Sequence, residues 1–175
     1  HELLRNAVYE AMPAAHRCQL HERTANTWLR IQDASSGGTR RDEILAWHLH
    51  RGQRPEAATE YALRAAAALA CDGRADESLH YLRVLETLPP EAIRAIGDSF
   101  ETLMYMAQDY WQLGRASCCA RACELGIGLA DGADRPDRPS PLDFKTLLAR
   151  AFVLSGDLDD ATRVLHEALD EAEQL

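Results

Sequence analysis

The chain has 175 residues, 46% of them hydrophobic, which is enough apolar material for one compact domain or one short solenoid. The formal charge of -9 is uneven: residues 1–64 carry 9 basic and 8 acidic residues, whereas residues 65–175 carry 10 basic and 20 acidic residues. Phosphate binding needs a basic stripe, so this charge argues against nucleic acid and favours a basic or apolar protein surface as partner.

Apolar runs such as residues 65–71 are far shorter than the roughly 20 residues needed to cross a bilayer. The opening residues also lack the basic, apolar and small-residue order of a secretion leader. We therefore expect a cytoplasmic protein with no membrane partner. Five cysteines form no even framework, and three of them crowd into residues 118–123, which predicts reduced and buried thiols.

Helix formers dominate the chain and helix breakers recur at intervals, which predicts helical hairpins and no sheet. The first two predicted helices, 1–12 and 13–31, form an N-terminal helical pair over residues 1–31 that leads from an upstream region. Residues 32–41 contain the turn-rich stretch DASSGGTR and are expected to form a flexible loop. A third helix, 42–50, is expected to take Asp42 as its N-cap and to end at Gly52.

The remaining helices and the third helix together form a predicted repeat region over residues 42–175. Pro55 suits the start of a helix, and Pro89 and Pro90 stop one. Gly97 can divide the long segment that follows, and residues 131–141 (DGADRPDRPSP) form an insertion loop that cannot pack a core. The predicted spans are 55–70, 75–88, 91–113, 115–129, 142–154 and 158–173.

Turn glycines anchor a repeated pattern. Around Gly156 and Gly114, apolar or small residues stand four, seven and eight positions before the glycine and five, nine and twelve positions after it. Small residues mark the crossing of the two helices of a hairpin, and bulky residues fill the gap to the next hairpin. The residues are Phe152, Ala149, Leu148, Ala161, Leu165 and Ala168 around Gly156, and Tyr110, Ala107, Met106, Cys119, Cys123 and Gly126 around Gly114.

This frame resembles the tetratricopeptide repeat, with the best match over residues 142–173. Units around Gly73 and Gly52 are weaker, and the glycine separations of 21, 41 and 42 residues depart from a period of about 34. One helix must therefore serve both the Gly52 and the Gly73 hairpins. The resemblance implies an all-α fold in which antiparallel helical hairpins form an irregular, tetratricopeptide-like right-handed superhelix.

A second resemblance covers about residues 1–88, which look like the region after the winged helix of bacterial STAND-class ATPase regulators. Among these, the residue pattern most resembles that of large LuxR-type transcriptional regulators and related ATPase-cyclase proteins. No GxxxxGK[ST] phosphate loop or helix-turn-helix is found, so nucleotide and DNA chemistry would lie outside this chain, which we expect to be a fragment. The matching residues are His1, Leu3, Val8, Tyr9, Arg17, Leu20, His21, Ala46, His48, Leu49 and Gly52.

Other residues that could bind a metal or take part in catalysis are better explained by structural roles. Cys119 and Cys123 share a helix face without CxxC spacing, so packing outweighs a redox sensor or a metal site. His21 and His48 are expected to orient helices through hydrogen bonds, and an Asp cluster at 157–160 to cap a helix. Since no nucleophile, base and orienting group come together, we expect no catalytic residue, no metal site, no cofactor and no enzyme activity.

The two resemblances together predict a protein-interaction and signal-relay module of a cytosolic transcriptional or signalling regulator. A homo-oligomerisation scaffold and a small-molecule inducer sensor remain alternatives. In tetratricopeptide arrays the first helix of each hairpin lines the concave face, and Trp and Arg often anchor interfaces while Met adapts to several shapes. Trp111 could instead fill the gap between hairpins and Arg150 could be a solvated charge. The predicted partner-binding residues are Met104, Gln108, Trp111, Thr146 and Arg150.

Overall fold

The computed structural model describes residues 2–31, 38–130 and 139–173, and every regular element in these ranges is a helix. The all-helical prediction is thereby confirmed. Of the predicted loops 32–41 and 131–141, residues 32–37 and 131–138 lie outside the described residues, whereas residues 39–41 and 141 are helical, so the predicted ends of both loops are wrong. The helices are α1 Glu2–Ala11, α2 Ala14–Arg30, α3 Thr39–Arg51, α4 Pro55–Cys71, α5 Ala75–Glu86, α6 Pro90–Arg94, α7 Ser99–Gln112, α8 Ala116–Leu129, α9 Pro141–Ser155 and α10 Leu158–Ala172.

The helices pack mainly against their neighbours in sequence. α4 packs against both α3 and α5, as expected for a helix that serves two hairpins, and it also contacts α7. Further along, α7 packs on α8, α8 on α9, and α9 on α10. The predicted division at Gly97 occurs, because α6 ends at Arg94 and α7 begins at Ser99.

Three hairpins turn at glycines with left-handed backbone. Gly73, Gly114 and Gly156 have φ of 75°, 69° and 90°, a region that residues with a Cβ rarely adopt. Gly52 serves a different purpose, since its φ is -83° and its Cα lies against another helix. A Cβ there would come within 3.1 Å of the backbone nitrogen of Glu22 on α2, so Gly52 permits the close contact of α2 with the end of α3.

Several predicted helix starts are wrong in detail. Pro13 is the N-cap of α2 rather than a first-turn residue, and Gly38 rather than Asp42 is the N-cap of α3. Asp157 is the N-cap of α10 but makes no side-chain capping bond, because its carboxylate accepts a 2.6 Å hydrogen bond from Ser155 Oγ. Only Ser140, at the start of α9, forms a reciprocal capping box among the described N-caps, with Asp143.

One large core runs from α3 to α10 and a smaller one lies between α2, α3 and α4. Tyr110 is fully buried, and its hydroxyl bonds Ser78 Oγ, which donates in turn to the carbonyl of Ala66 at 2.6 Å. Burial raises the pKa of Tyr110 to about 12. This chain of bonds ties α7 to α5 and α4, so the position of α7 is fixed by the hairpin before it.

Candidate groove between helices 7 and 9

A groove of about 600 Å³ lies between α7 and α9, the first helices of two successive hairpins. All five predicted partner-binding residues line it. We call this surface the α7–α9 groove. Its lining residues are Glu101, Met104, Tyr105, Gln108, Trp111, Gln112, Pro139, Asp143, Thr146, Leu147 and Arg150.

Helical spacing places these side chains on one face of each helix. On α9 the lining residues Asp143, Thr146, Leu147 and Arg150 follow an i, i+3, i+4, i+7 pattern, which is one face of a helix. The lining residues of α7 follow the same pattern from Glu101 onward. The groove is therefore built by two regular helices, which hold its side chains more firmly than loops would.

The end of the groove near the helix C-termini carries a stacked cation. The guanidinium carbon of Arg150 lies 4.1 Å from the centre of the Trp111 ring, in a cation–π arrangement. Arg150 is exposed and forms no ion pair within the described residues. Its guanidinium therefore keeps hydrogen-bond donors that a carboxylate or carbonyl oxygen of a partner could accept.

The five predicted residues differ in how far they reach solvent. Gln108, Thr146 and Arg150 are exposed, and Trp111 is half-buried because it also packs against the core. Met104 departs from the expectation of a free surface residue, since only 6% of it is exposed. Trp111 thus combines the two alternatives left open by the sequence, with one part filling the gap between hairpins and one part lining the groove.

The acidic residues of the groove lie near the helix N-termini. Asp143 Oδ2 accepts hydrogen bonds from Ser140 N at 2.7 Å and from Ser140 Oγ at 2.9 Å, so the capping box already uses this oxygen. Thr146 is likewise engaged, because its Oγ1 donates to the carbonyl of Leu142 at 2.8 Å. The most available charged group of the groove is therefore Arg150.

Sequence reasoning missed Tyr105 and Leu147, which widen the apolar part of the groove. Tyr105 is 67% exposed, a large fraction for an aromatic residue, and Leu147 is nearly buried at 6%. Both stand one residue after a predicted lining residue, Met104 or Thr146, and so border the same helix face. Widening the predicted face by one position on each helix would have found them.

The helix behind the groove contains the cysteine cluster. Cys119 and Cys123 on α8 have no exposed surface, which confirms the prediction that they are buried, whereas the prediction is wrong for Cys71, which is exposed at the end of α4. A hydrogen bond with Cys119, together with burial, raises the pKa of the Cys123 thiol. The same hydrogen bond lowers the pKa of the Cys119 thiol, but both thiols are enclosed by the core, and this enclosure favours a packing role over reactivity.

A histidine pair links the first three helices. The Nδ1 atoms of His21 on α2 and His48 on α3 are 2.9 Å apart, which confirms the predicted role of these side chains in orienting helices. The hydroxyl of Tyr9 on α1 lies 2.8 Å from Nε2 of His21. Burial lowers the pKa of both histidines, and the neighbouring charges of His48 and Arg51 lower that of His21 further.

Comparison of the chain with models of known protein families, with curated proteins and with solved structures gives no match. Within residues 2–31, 38–130 and 139–173, no group of three or more His, Cys, Asp or Glu side chains is arranged to hold a metal ion. None of the helices described here combines the length and apolarity that a membrane span requires.

Proposed function

We propose that this chain is a protein-interaction and signal-relay module that binds a partner protein or a sister domain in the α7–α9 groove. The observation that carries the proposal is the convergence of Trp111, Arg150, Gln108 and Thr146 on one concave surface between two hairpins. Aromatic and arginine side chains are the usual energetic anchors of protein interfaces, and exposed polar groups around them supply specificity.

The chemistry of the groove favours a peptide-like occupant. Tyr105, Trp111 and Leu147 offer apolar area, while Gln108 has an exposed amide that can donate to and accept from a backbone. Arg150 adds donors for an oxygen acceptor at one end. A segment with one or two apolar side chains and an acidic residue or carbonyl facing Arg150 satisfies each of these groups.

We further propose that the hairpins form a tetratricopeptide-like superhelix. The support is that α4, α7 and α9 occupy the same place in successive hairpins, each before a left-handed glycine, and that α4 contacts α7 and α7 contacts α9. First helices that line one side of the array are the defining feature of that architecture. The module would be non-catalytic and would belong to a cytosolic regulator of the type that the N-terminal resemblance implies.

The proposed signal relay depends on the position of the groove between two hairpins. An occupant that touches both α7 and α9 has a different binding free energy for each relative arrangement of the two hairpins. A ligand shifts a conformational equilibrium only by such a difference in affinity. Binding would therefore bias the curvature of the array, and attached domains would respond to that change.

A peptide selection tests the groove, because the chain itself then chooses its ligand. A random 12-residue peptide library would be displayed on phage and selected on the immobilised chain, and the dissociation constant of a selected peptide would be measured by isothermal titration calorimetry. Trp111→Ala and Arg150→Ala should each weaken binding by about 2 kcal/mol or more, as expected for interface anchors. Leu113→Ala, outside the groove on the same hairpin, is the matched control.

Folding must be separated from binding, because Trp111 also packs against the core. Arg150→Gln removes the charge but keeps a polar side chain at an exposed position, so it should weaken binding with little effect on folding. Far-ultraviolet circular dichroism and melting curves would accompany each variant. Peptides that bind equally to Arg150→Gln, Trp111→Ala and the parent chain would refute the groove as the binding surface.

The groove volume also favours a second candidate, an inducer-sensing site. About 600 Å³ falls within the range of about 300–1,000 Å³ found for small-molecule sites. A screen of metabolites by thermal shift would distinguish the two, since a compound that raises the melting temperature and loses this effect in Arg150→Gln favours the sensor.

A further inference from the structure

Helix α10 carries two apolar stripes, one of which no described residue covers. Ala161, Val164 and Ala168 are buried against α9. Leu158, Leu165 and Leu169 lie on an adjacent face and are 61%, 44% and 59% exposed. The spacing i, i+7, i+11 aligns the three leucines along one side of α10. We call this set the α10 leucine stripe.

Equivalent positions in the preceding hairpins are covered by packing. The residue nine positions after the turn glycine is Leu82 on α5 and Cys123 on α8, and both have no exposed surface. The same position on α10 is Leu165, which is 44% exposed. The following helix, α9, packs against α8, the helix that contains Cys123. The stripe therefore has the position and chemistry of a surface on which a helix packs.

Acidic residues border the stripe on the side away from α9. The helical period places Asp159 and Glu173 there, with His166 between them, and all three are exposed. The two carboxylates form no salt bridge in the described part of the chain. Asp170 lies farther round the helix, about 100° from the nearest leucine of the stripe. Three other acidic residues of α10 are paired within the fold, because Arg163 pairs with Asp160 and Glu167, and Lys145 pairs with Glu171.

From this combination we infer that the α10 leucine stripe is a docking surface for a basic amphipathic helix of another protein. Its apolar face would cover Leu158, Leu165 and Leu169, and its lysines or arginines would meet the free carboxylates at the border. This surface is separate from the α7–α9 groove, since none of its residues lines the groove. The inference does not depend on what the groove binds.

A second copy of the chain fits the stripe less well. Two α10 helices that pair through their leucines would bring the acidic borders of both copies close to the interface. Like charges at short range oppose association. The unpaired carboxylates Asp159 and Glu173 therefore select a partner of opposite charge.

The test uses synthetic helical peptides of about 18 residues, a length that supports measurable helix in water. The first has leucines at i, i+3, i+4, i+7 spacing flanked by lysines and carries a fluorescent label. The second has glutamate in place of each lysine, and the third has the composition of the first in scrambled order. Binding to the chain would be followed by fluorescence anisotropy at low salt and at about fourfold higher salt, which shortens the screening length of charge pairs.

We expect the lysine peptide to bind at least about tenfold more tightly than the glutamate or the scrambled peptide, a difference well above the scatter of such titrations. The double variant Leu165→Ser/Leu169→Ser should lose at least about tenfold in affinity. Leu113→Ser, which replaces another exposed leucine of similar exposure at the end of α7, is the control and should bind like the parent. Asp159→Asn/Glu173→Gln should weaken binding and reduce its salt dependence.

Other outcomes would overturn the inference. Equal binding of the lysine and scrambled peptides would mean that charge alone is recognised, and unchanged affinity in Leu165→Ser/Leu169→Ser would place the peptide elsewhere. Sedimentation equilibrium should show a monomer; a dimer that Leu165→Ser/Leu169→Ser dissociates would assign the stripe to a second copy. Both leucines are exposed, and circular dichroism would verify that the variant stays folded.

Discussion

At the scale of single residues, Gly126 decides how closely α8 and α9 approach. Its Cα lies against the ring of Phe144, which is fully buried and packs edge to face on Phe100 at 5.0 Å between ring centres. A Cβ at this position would overlap that ring. Because Phe144 is enclosed by the core, the absence of a side chain at Gly126 allows α9, and with it one wall of the groove, to approach α8 closely.

Gly126→Ala should therefore lower the free energy of unfolding by about 1–3 kcal/mol, the usual cost of overpacking a core. Gly128 on the same helix offers a matched control, since a Cβ there meets nothing within 4 Å. Gly128→Ala should instead raise stability by about 0.5 kcal/mol through higher helix propensity. Urea unfolding measures the free energy of unfolding of both variants. Equal changes would show that α8 and α9 do not approach closely at Gly126.

The pair of His21 and His48 makes stability depend on pH. Burial lowers the pKa of each below 6.5, so the unfolded chain binds more protons than the folded chain in weakly acidic solution. The free energy of unfolding should fall as the pH decreases from about 7.5 to about 5.5, the range around the ordinary histidine pKa. Urea titrations across this range should show the decline, and His48→Gln should flatten it; a slope unchanged in His48→Gln would exclude the pair as the cause.

At the scale of helices and hairpins, turn glycines and prolines in the sequence predicted most boundaries correctly. Gly73, Gly114 and Gly156 take left-handed backbone at the predicted turns, and the five residues that the resemblance to tetratricopeptide arrays placed on the concave face line the groove. The N-caps of α2 and α3 were wrong because a cap depends on local backbone geometry that composition does not specify. The burial of Met104 was missed because it depends on how closely α7 and α9 approach, which is a tertiary property.

Ala161 tests the crossing of α9 and α10. It is 3% exposed, five residues after Gly156, where the repeat pattern requires a small side chain. Ala161→Trp should overpack the hairpin and cost about 1–3 kcal/mol. Thr162→Trp places the same ring at the next residue, which is exposed, and should leave the melting temperature nearly unchanged. If both variants have the melting temperature of the parent chain, Ala161 does not lie where α9 and α10 cross.

At the scale of the whole molecule, side-chain bonds between non-adjacent helices connect the hairpins. Arg121 on α8 forms two hydrogen bonds with Glu86 at the end of α5, at 2.6 and 2.8 Å, and Arg94 Nε donates to the carbonyl of Leu129 at 2.9 Å. Tyr110 and Ser78 link α7 to α5 in the interior. The proposed relay would pass from the α7–α9 groove to the earlier hairpins through such contacts.

The most direct test of the central claim is an amide NMR titration of the isotopically labelled chain with a peptide selected on it. We predict that the largest chemical-shift changes fall on the lining residues of α7 and α9, with Gln108, Trp111, Thr146 and Arg150 among them, and that in Arg150→Gln they require a much higher peptide concentration. Changes confined to other helices, with these residues unaffected at saturation, would contradict the assignment of the groove as the partner-binding surface.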